Sequence, residues 1–391
     1  MIYLDYNATT PLCPPAREAM LPFLDRHFGN PSSIHAAGRE ARAASDDARD
    51  RLAFLLGAKP GEIIFTASGT ESNNLAVIGL ARSQAQRGRH LICGSTEHHA
   101  VLHAFEYLAK RENFEVTFLP VRDDGLIDAD ELALTFRDDT TLVSIMAANN
   151  ETGVVQPMRE IGEICRARGV LLHSDMVQSF GKLATRPVDL LVDAASFAAH
   201  KFYGPKGAGL LYLRAGLPIE PIQFGGSHES QRRPGTENVA AIAGMAAATE
   251  WTLSDLEFEQ SRQAKMRDRL WRLIAKTFPD AQLNGADAAR IANTLNVSLP
   301  GISSETMLMA LDLEGVGASS GSACMVGSVV ASHVLLAMGF STDRSSSAIR
   351  FSLGKQTTQD EIERAGDALA RIGGRLRMRT SKAKDAVYVA A

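Results

Sequence analysis

Between about residues 40 and 250, short apolar runs alternate with polar stretches of helical spacing. The runs are "EIIFTA", "HLICGS", "FEVTFLP", "TLVSIMAA", "GVLLHSD", "LLVDAASFAA" and "GAGLLYLR". Between them lie segments such as "AVLHAFEYLAKREN" and "MREIGEICRARG". Near-continuous apolar runs suit strands buried on both faces, and their alternation with helices predicts a mostly parallel sheet covered by helices. After residue 250 the pattern changes. "LSDLEFEQSRQAKMRDRLWRLIAKTF" predicts one extended helix, followed by the shorter pieces "NTLNVSLP", "SETMLMALDLEG", "SAIRFSLG" and "TQDEIERAGDALARIGGRLR". These predict a second, α+β domain with the long helix at its boundary. The last residues, "SKAKDAVYVAA", predict a loosely held tail.

Composition sets limits on this picture. A chain of 391 residues has room for two domains, and a net charge of −4 gives no electrostatic case for nucleic acid or an anionic membrane. The amino-terminal "MIYLDYNATTPL" has neither the basic segment nor the apolar run of a signal peptide, and no stretch approaches the apolar length that spans a bilayer. A cytoplasmic protein is expected. The four cysteines form no C-x-x-C pair. Cys93 and Cys165 fall in apolar and helical runs and are expected to be small buried hydrophobes. Cys13 lies among prolines and gives no signal. Cys324 sits in "SSGSACMVGS", among glycines and small polar residues, and is expected to be an exposed, mobile thiol.

In open α/β sheets ligands gather beyond the carboxyl ends of strands, so the residues that follow each run are the candidates. After "EIIFTA" come Ser68, Gly69, Thr70 and Glu71, then a helical segment. Such a helix start suits a phosphate, although the same residues also make a plain N-cap. Thr96, Glu97, His98 and His99 follow the second run. His99 and His103 could share a helix face, but nothing nearby completes a metal site. Asn149 to Gly153 follow another run and fit a turn. Asp175 and Gln178 close the next, then His200 and Lys201. Lys201 ends an apolar stretch, where a free ammonium is costly. Pyridoxal 5'-phosphate needs such a set: an amine to bind it, an acid for the pyridine nitrogen, a stacking partner and phosphate donors.

The motifs "FGNPSS", "TESNN", "TEHHAVL", "ANNETG", "VQSFGK", "HKFYGPKG", "RRPGTEN" and "ASSGSAC" occur in this order almost end to end. With them the chain resembles the cysteine desulfurases of the NifS/IscS type, within the class-V, fold-type-I pyridoxal phosphate enzymes. The resemblance implies a large cofactor-binding domain over 16–255, with a mostly parallel seven-stranded sheet. It also implies a small α+β domain formed by 1–15 and 256–391 that carries the Cys324 loop. By resemblance, Lys201 is the Schiff-base lysine, Asp175 the acid on the pyridine nitrogen and Gln178 the donor to the phenolic oxygen. His98 stacks on the ring and moves protons. Gly69, Thr70 and His200 are phosphate-side ligands, and Thr236 reaches the cofactor of a neighbouring subunit, which implies a homodimer. Asn150 and Arg350 lie near the substrate carboxylate, and Asn150 also near the cofactor.

The reaction implied removes sulfur from L-cysteine, giving alanine and a persulfide on Cys324 for an acceptor such as an iron–sulfur scaffold or sulfur-relay protein. No metal site of the protein's own is implied, though Cys324 could ligate an acceptor's iron–sulfur cluster. A selenocysteine lyase or aminotransferase on the same cofactor is the alternative, and a non-turning-over sulfur-assembly scaffold is one of a different class. Three departures stand out: Ala198 where a serine hydroxyl is expected, "MVGSVVASHVL" after the cysteine, and "GGSHESQ" for a usual "GGGHERG".

Overall fold

A computed structural model describes the backbone of residues 1–321 and 331–389, and the side chains of 1–321 and 331–376. Cys324 lies outside the described residues. The strands are β1 (Ile2–Tyr3), β2 (Ile63–Thr66), β3 (His90–Gly94), β4 (Glu115–Leu119), β5 (Thr140–Ser144) and β6 (Leu171–Asp175). Then follow β7 (Ala194–Ala198), β8 (Gly209–Leu213), β9 (Gln282–Leu283), β10 (Thr294–Ser298), β11 (Val316–Gly317) and β12 (Ala348–Ser352). Two compact units result. The larger contains residues 8–149 and 154–257, the smaller 1–7, 150–153 and 258–391.

The seven apolar runs become β2 to β8, and all seven join one sheet in the order β2-β8-β7-β6-β5-β3-β4. Pairing is parallel from β7 through β4, while β8 runs antiparallel to both β7 and β2. Burial explains the sequence pattern. Every residue of β3, β5, β6, β7 and β8 is buried, whereas the edge strand β4 leaves Glu115 and Phe118 exposed. One core of this unit joins Ile64, Leu91, Leu142, Leu171 and Leu211 of the sheet to Leu75, Leu80 and Phe105 of the helices Gly69–Gln84 and His99–Glu112. Burial of such side chains is worth roughly 1.5–3 kcal/mol each. Cys93 and Cys165 are buried as expected; burial first, then Glu97, pushes the Cys93 thiol well up, and burial first, then Asp193, pushes Cys165 to about 12.

Residues 8–15, expected with the small domain, cluster with the larger unit. Thr10 N–H and Oγ1 both donate to the His200 carbonyl, at 2.9 and 3.0 Å, and Cys13 N–H donates to Tyr203 O at 2.9 Å. The turn 150–153 departs the other way. Ile291 N–H donates to Gly153 O at 2.9 Å, and Asn296 Nδ2 of β10 donates to Glu151 O at 3.1 Å. Gly153 is required here: its φ is +80°, and a Cβ would stand 2.9 Å from Thr294 Cβ.

The smaller unit pairs β10 antiparallel with β12 and β9, and β1 parallel with β11. Leu295, Val297, Ile349 and Phe351 pack there with Leu270 and Ile274 of the long helix Leu256–Thr277. The last helix runs Gln359–Val389, through residues expected to form a tail. No helix among the described residues is long and apolar enough to cross a membrane.

Candidate active site

The carboxyl ends of β2, β3, β6 and β7 bring most of the predicted residues onto one unit. Lys201 ends a 3₁₀ turn, Ala199–Lys201, that directly follows β7. It is half-buried, and its Nζ donates to the Ala8 carbonyl at 2.9 Å. The backbone behind it is strained. Tyr203 is buried with φ +66°, a left-handed conformation that costs a non-glycine residue about 1–3 kcal/mol. Thr10 offsets that cost, because its Oγ1 accepts Tyr203 N–H at 2.7 Å while donating to His200 O. Tyr203 also packs edge-on against Trp251, ring centroids 5.1 Å apart.

Asp175 ends β6 and is buried. Its Oδ2 accepts from Asn73 Nδ2 at 2.7 Å and its Oδ1 from Val177 N–H at 2.9 Å, so the carboxyl plane is fixed from both sides. Gln178, also buried, accepts at Oε1 from Lys182 Nζ at 2.5 Å, which assigns the amide so that its NH₂ group is a donor. Gly69 opens the helix Gly69–Gln84, with Ser68 as N-cap. A Cβ at Gly69 would meet Val177 Cγ2 at 2.8 Å and Ala198 Cβ at 3.2 Å, so only glycine lets the helix end approach β7 this closely. Thr70, next to it, is exposed.

His98 caps the helix His99–Glu112, its Nδ1 accepting Ala100 N–H at 3.1 Å. A neutral ring therefore carries its proton on Nε2. The His99 and His103 rings lie tilted to one another with centroids 5.1 Å apart and, with His98, Thr70 and Tyr107, line a cavity of about 510 Å³. His200 Nδ1 lies 3.1 Å from Thr9 Oγ1. Burial above all, then Lys201 and Lys206, lowers its pKa to about 4, so the ring is neutral at pH 7. Thr236 is exposed, in a segment tied back by Arg233 Nε to Glu71 Oε1 at 2.8 Å.

Asn150 and Arg350 belong to the smaller unit. Arg350, on β12, is 4% exposed. Its Nη2 pairs with Asp5 Oδ1 at 2.7 Å and its Nη1 donates to Asn150 O at 2.9 Å. Its buried Nε meets no partner among the described residues, a geometry that fits one more anionic acceptor.

Four contributors were given no role from the sequence. Asn73, in "TESNN", lies one helical turn after Gly69, a spacing that could have placed it beside the same strand ends. Thr10 supports Tyr203, and its signal is only the short "NATTP". Glu97, directly before His98, is fully buried and accepts from Met146 N–H. Burial first, then Asp175, pushes its acid well up, with Met146 opposing. Glu151, in "NNETG", is buried in the turn of the smaller unit.

Residues 2–365 match the family described as aminotransferase class-V. A curated relative from Dictyoglomus turgidum, "Cysteine desulfurase IscS", is 46% identical over 376 residues, which is 96% of this chain and 95% of the relative. Among solved structures, a "NifS-like protein" is similar with a TM-score of 0.89 and 37% identity, over 95% of this chain and 98% of that one. "SspA in complex with cysteine" is similar with a TM-score of 0.80 and 34% identity, over 90% and 98% of the two chains.

Proposed function

The chain belongs to the aminotransferase class-V family and is a pyridoxal-phosphate-dependent cysteine desulfurase, and from that premise we propose how its own residues divide the work. The donor set fits the cofactor. Asp175 presents a carboxyl fixed by Asn73 and Val177, Gln178 an amide N–H, and the helix at Gly69 a close-packed N-terminus. Bound there, pyridoxal phosphate supplies an electron-poor ring that takes up the electron pair left at the substrate α-carbon.

Lys201 would hold the cofactor through its amine and, with that amine free, would carry the substrate's α-proton. Asp175 accepts the pyridine N–H, and Gln178 donates to the phenolic oxygen. Gly69, Thr70 and neutral His200 face the phosphate, with N–H donors and the helix dipole supplying the attraction. His98, its Nε2 protonated when neutral, stacks on the ring and shuttles a proton. Asn150 and Arg350 receive the substrate carboxylate, and the unmatched Nε of Arg350 supports that assignment. Cys324, as thiolate, attacks the sulfur of bound cysteine. An S–S bond forms as the C–S bond breaks, its electron pair goes to carbon, and a proton there completes alanine.

Thr236 serves the neighbouring subunit's site, so the active form is a homodimer. The persulfide then passes to an acceptor protein, an iron–sulfur scaffold or a sulfur relay, in the cytoplasm. The observation that carries the reading is that Asp175 closes β6 while Lys201 ends the turn directly after β7, the strand that pairs in parallel with β6. The test is alanine and sulfide release from cysteine by the wild type, Lys201→Ala and Cys324→Ala holoproteins. Lys201→Ala is expected to lose at least about ten-thousandfold in rate. Cys324→Ala should form no protein persulfide, and unchanged sulfide release would favour a selenocysteine lyase or aminotransferase instead.

A further inference from the structure

The segment that carries Cys324 leaves the described chain at Gly321 and re-enters it at Ala331, and both ends lead to one carboxyl. Glu151 is buried in the turn 150–153, its own backbone held by Asn296. From the carboxyl-terminal stem, Ser332 Oγ donates to Glu151 Oε2 at 2.5 Å. The same hydroxyl caps the helix His333–Ala337 by accepting Leu335 N–H at 3.2 Å. From the amino-terminal stem, Gly321 lies against the same group. A Cβ there would stand 3.0 Å from Glu151 Oε2 and 3.1 Å from its Cγ, and the φ of +82° also demands glycine.

Two residues earlier, Ser319 exchanges backbone hydrogen bonds with Arg350, at 3.1 and 2.6 Å. The stem is thereby tied to the strand that presents the guanidinium. Burial pushes the Glu151 acid up, while the Ser332 hydroxyl and Arg350 act against that push. A buried acid is costly where an apolar side chain of the same volume would fill the space. Its advantage is directional, since one carboxyl can bond to one stem while the other packs against it.

We propose that Glu151 is a positioning residue for sulfur transfer: its carboxyl holds the carboxyl-terminal stem of the segment that carries Cys324 through Ser332 and packs against the amino-terminal stem at Gly321, and so governs delivery of the thiol without itself reacting. The inference rests on the reading of Cys324 as the nucleophile.

The test uses holoenzyme and follows kcat and KM for alanine formation together with the visible spectral change on adding cysteine. Ser332→Ala should lower kcat about tenfold, the scale of one lost hydrogen bond to a buried or charged group, with KM and spectral amplitude unchanged. Ser332→Thr, which keeps the hydroxyl, should recover wild-type kcat to within about twofold on the same scale. Glu151→Ala should reproduce the split; should it fail to fold, the Ser332 pair still decides. Unchanged kcat in Ser332→Ala, or KM rising in step with the fall in kcat, overturns the proposal. If Cys324→Ala forms alanine at the wild-type rate, the nucleophile reading fails and the positioning role with it. If Cys324→Ala is inactive while Ser332→Ala runs at full rate, only the positioning role fails.

Discussion

At the end of β7 the main chain holds the chemistry: Lys201 meets the Ala8 carbonyl, and Thr10 ties the His200 and Tyr203 backbone together. In the smaller unit, charge does this work. Arg350 is buried against Asp5, and Glu151 is buried against the Ser332 hydroxyl. The first arrangement relies on uncharged main-chain partners around Lys201 and spends backbone strain at Tyr203. The second accepts the desolvation of ionisable groups, which is recovered only where each has its partners. The smaller unit is therefore sensitive to the loss of any single partner, because the other is left buried alone.

The largest effect expected from this contrast lies under Asp175. His173, two residues earlier on β6, bridges Ser144 Oγ at 2.8 Å and Ser196 Oγ at 3.0 Å across β5 and β7. Burial alone lowers its pKa from 6.5 to about 3. The unfolded chain takes up a proton near pH 6.5 that the native ring refuses until about pH 3. The stability linked to this group is thus intact at neutral pH and lost as pH falls through that window, by about 1.4 kcal/mol per unit. Denaturant unfolding of the wild type and His173→Gln should show the penalty of the substitution shrinking by about 3 kcal/mol between pH 7 and pH 4. A penalty constant with pH would mean that the native ring takes up a proton in place, despite its burial under Asp175.

On the charged side, Arg350→Lys probes fork geometry at constant charge. An ammonium beside Asp5 cannot also serve the Asn150 carbonyl and a substrate carboxylate at the angles the guanidinium provides. Loss of one charge-assisted hydrogen bond, about 2 kcal/mol, predicts a KM for cysteine raised about thirtyfold. The cofactor's visible spectrum should not change. A KM equal to wild type would remove Arg350 from substrate binding and leave it a purely internal counter-ion of Asp5.

The same contrast explains what could be read from the sequence. All seven strands of the large sheet were visible: six are buried on both faces, which writes a continuous apolar run, and the edge strand β4 shows mixed polar and apolar positions instead. The positions of Lys201, Asp175 and His98 at or just beyond strand ends could be read because each lies at the end of such a run or shortly after it. The reversed direction of β8 left no trace in its apolar run, since parallel and antiparallel neighbours bury its faces alike. Asp5, Glu151, Ser332 and Arg350 meet in the smaller unit from four distant parts of the chain, and pairing at such separations leaves no periodicity. For the same reason the turn 150–153 looked like an ordinary connection in the large domain. Residues 8–15 looked like part of the small one, since the hydrogen bonds of Thr10 to the segment after β7 are not patterned either.

The smallest expected effect concerns the helix end where the phosphate is assigned. Ala198 is the last residue of β7, is buried, and its Cβ faces the first residue of the helix Gly69–Gln84, where the phosphate is assigned. A serine there would place a hydroxyl where relatives of this kind are expected to have one. In the cofactor-free protein that hydroxyl would be buried without a built-in partner, at a cost of about 1 kcal/mol. With a phosphate present it would donate to an anion, a gain of about 1.5 kcal/mol. Ala198→Ser should therefore slow cofactor release about tenfold, measured by transfer to an apo-acceptor, while the melting temperature of the apoprotein stays level or falls. The KM for cysteine should not move. Faster or unchanged release would mean that no phosphate sits at this helix end.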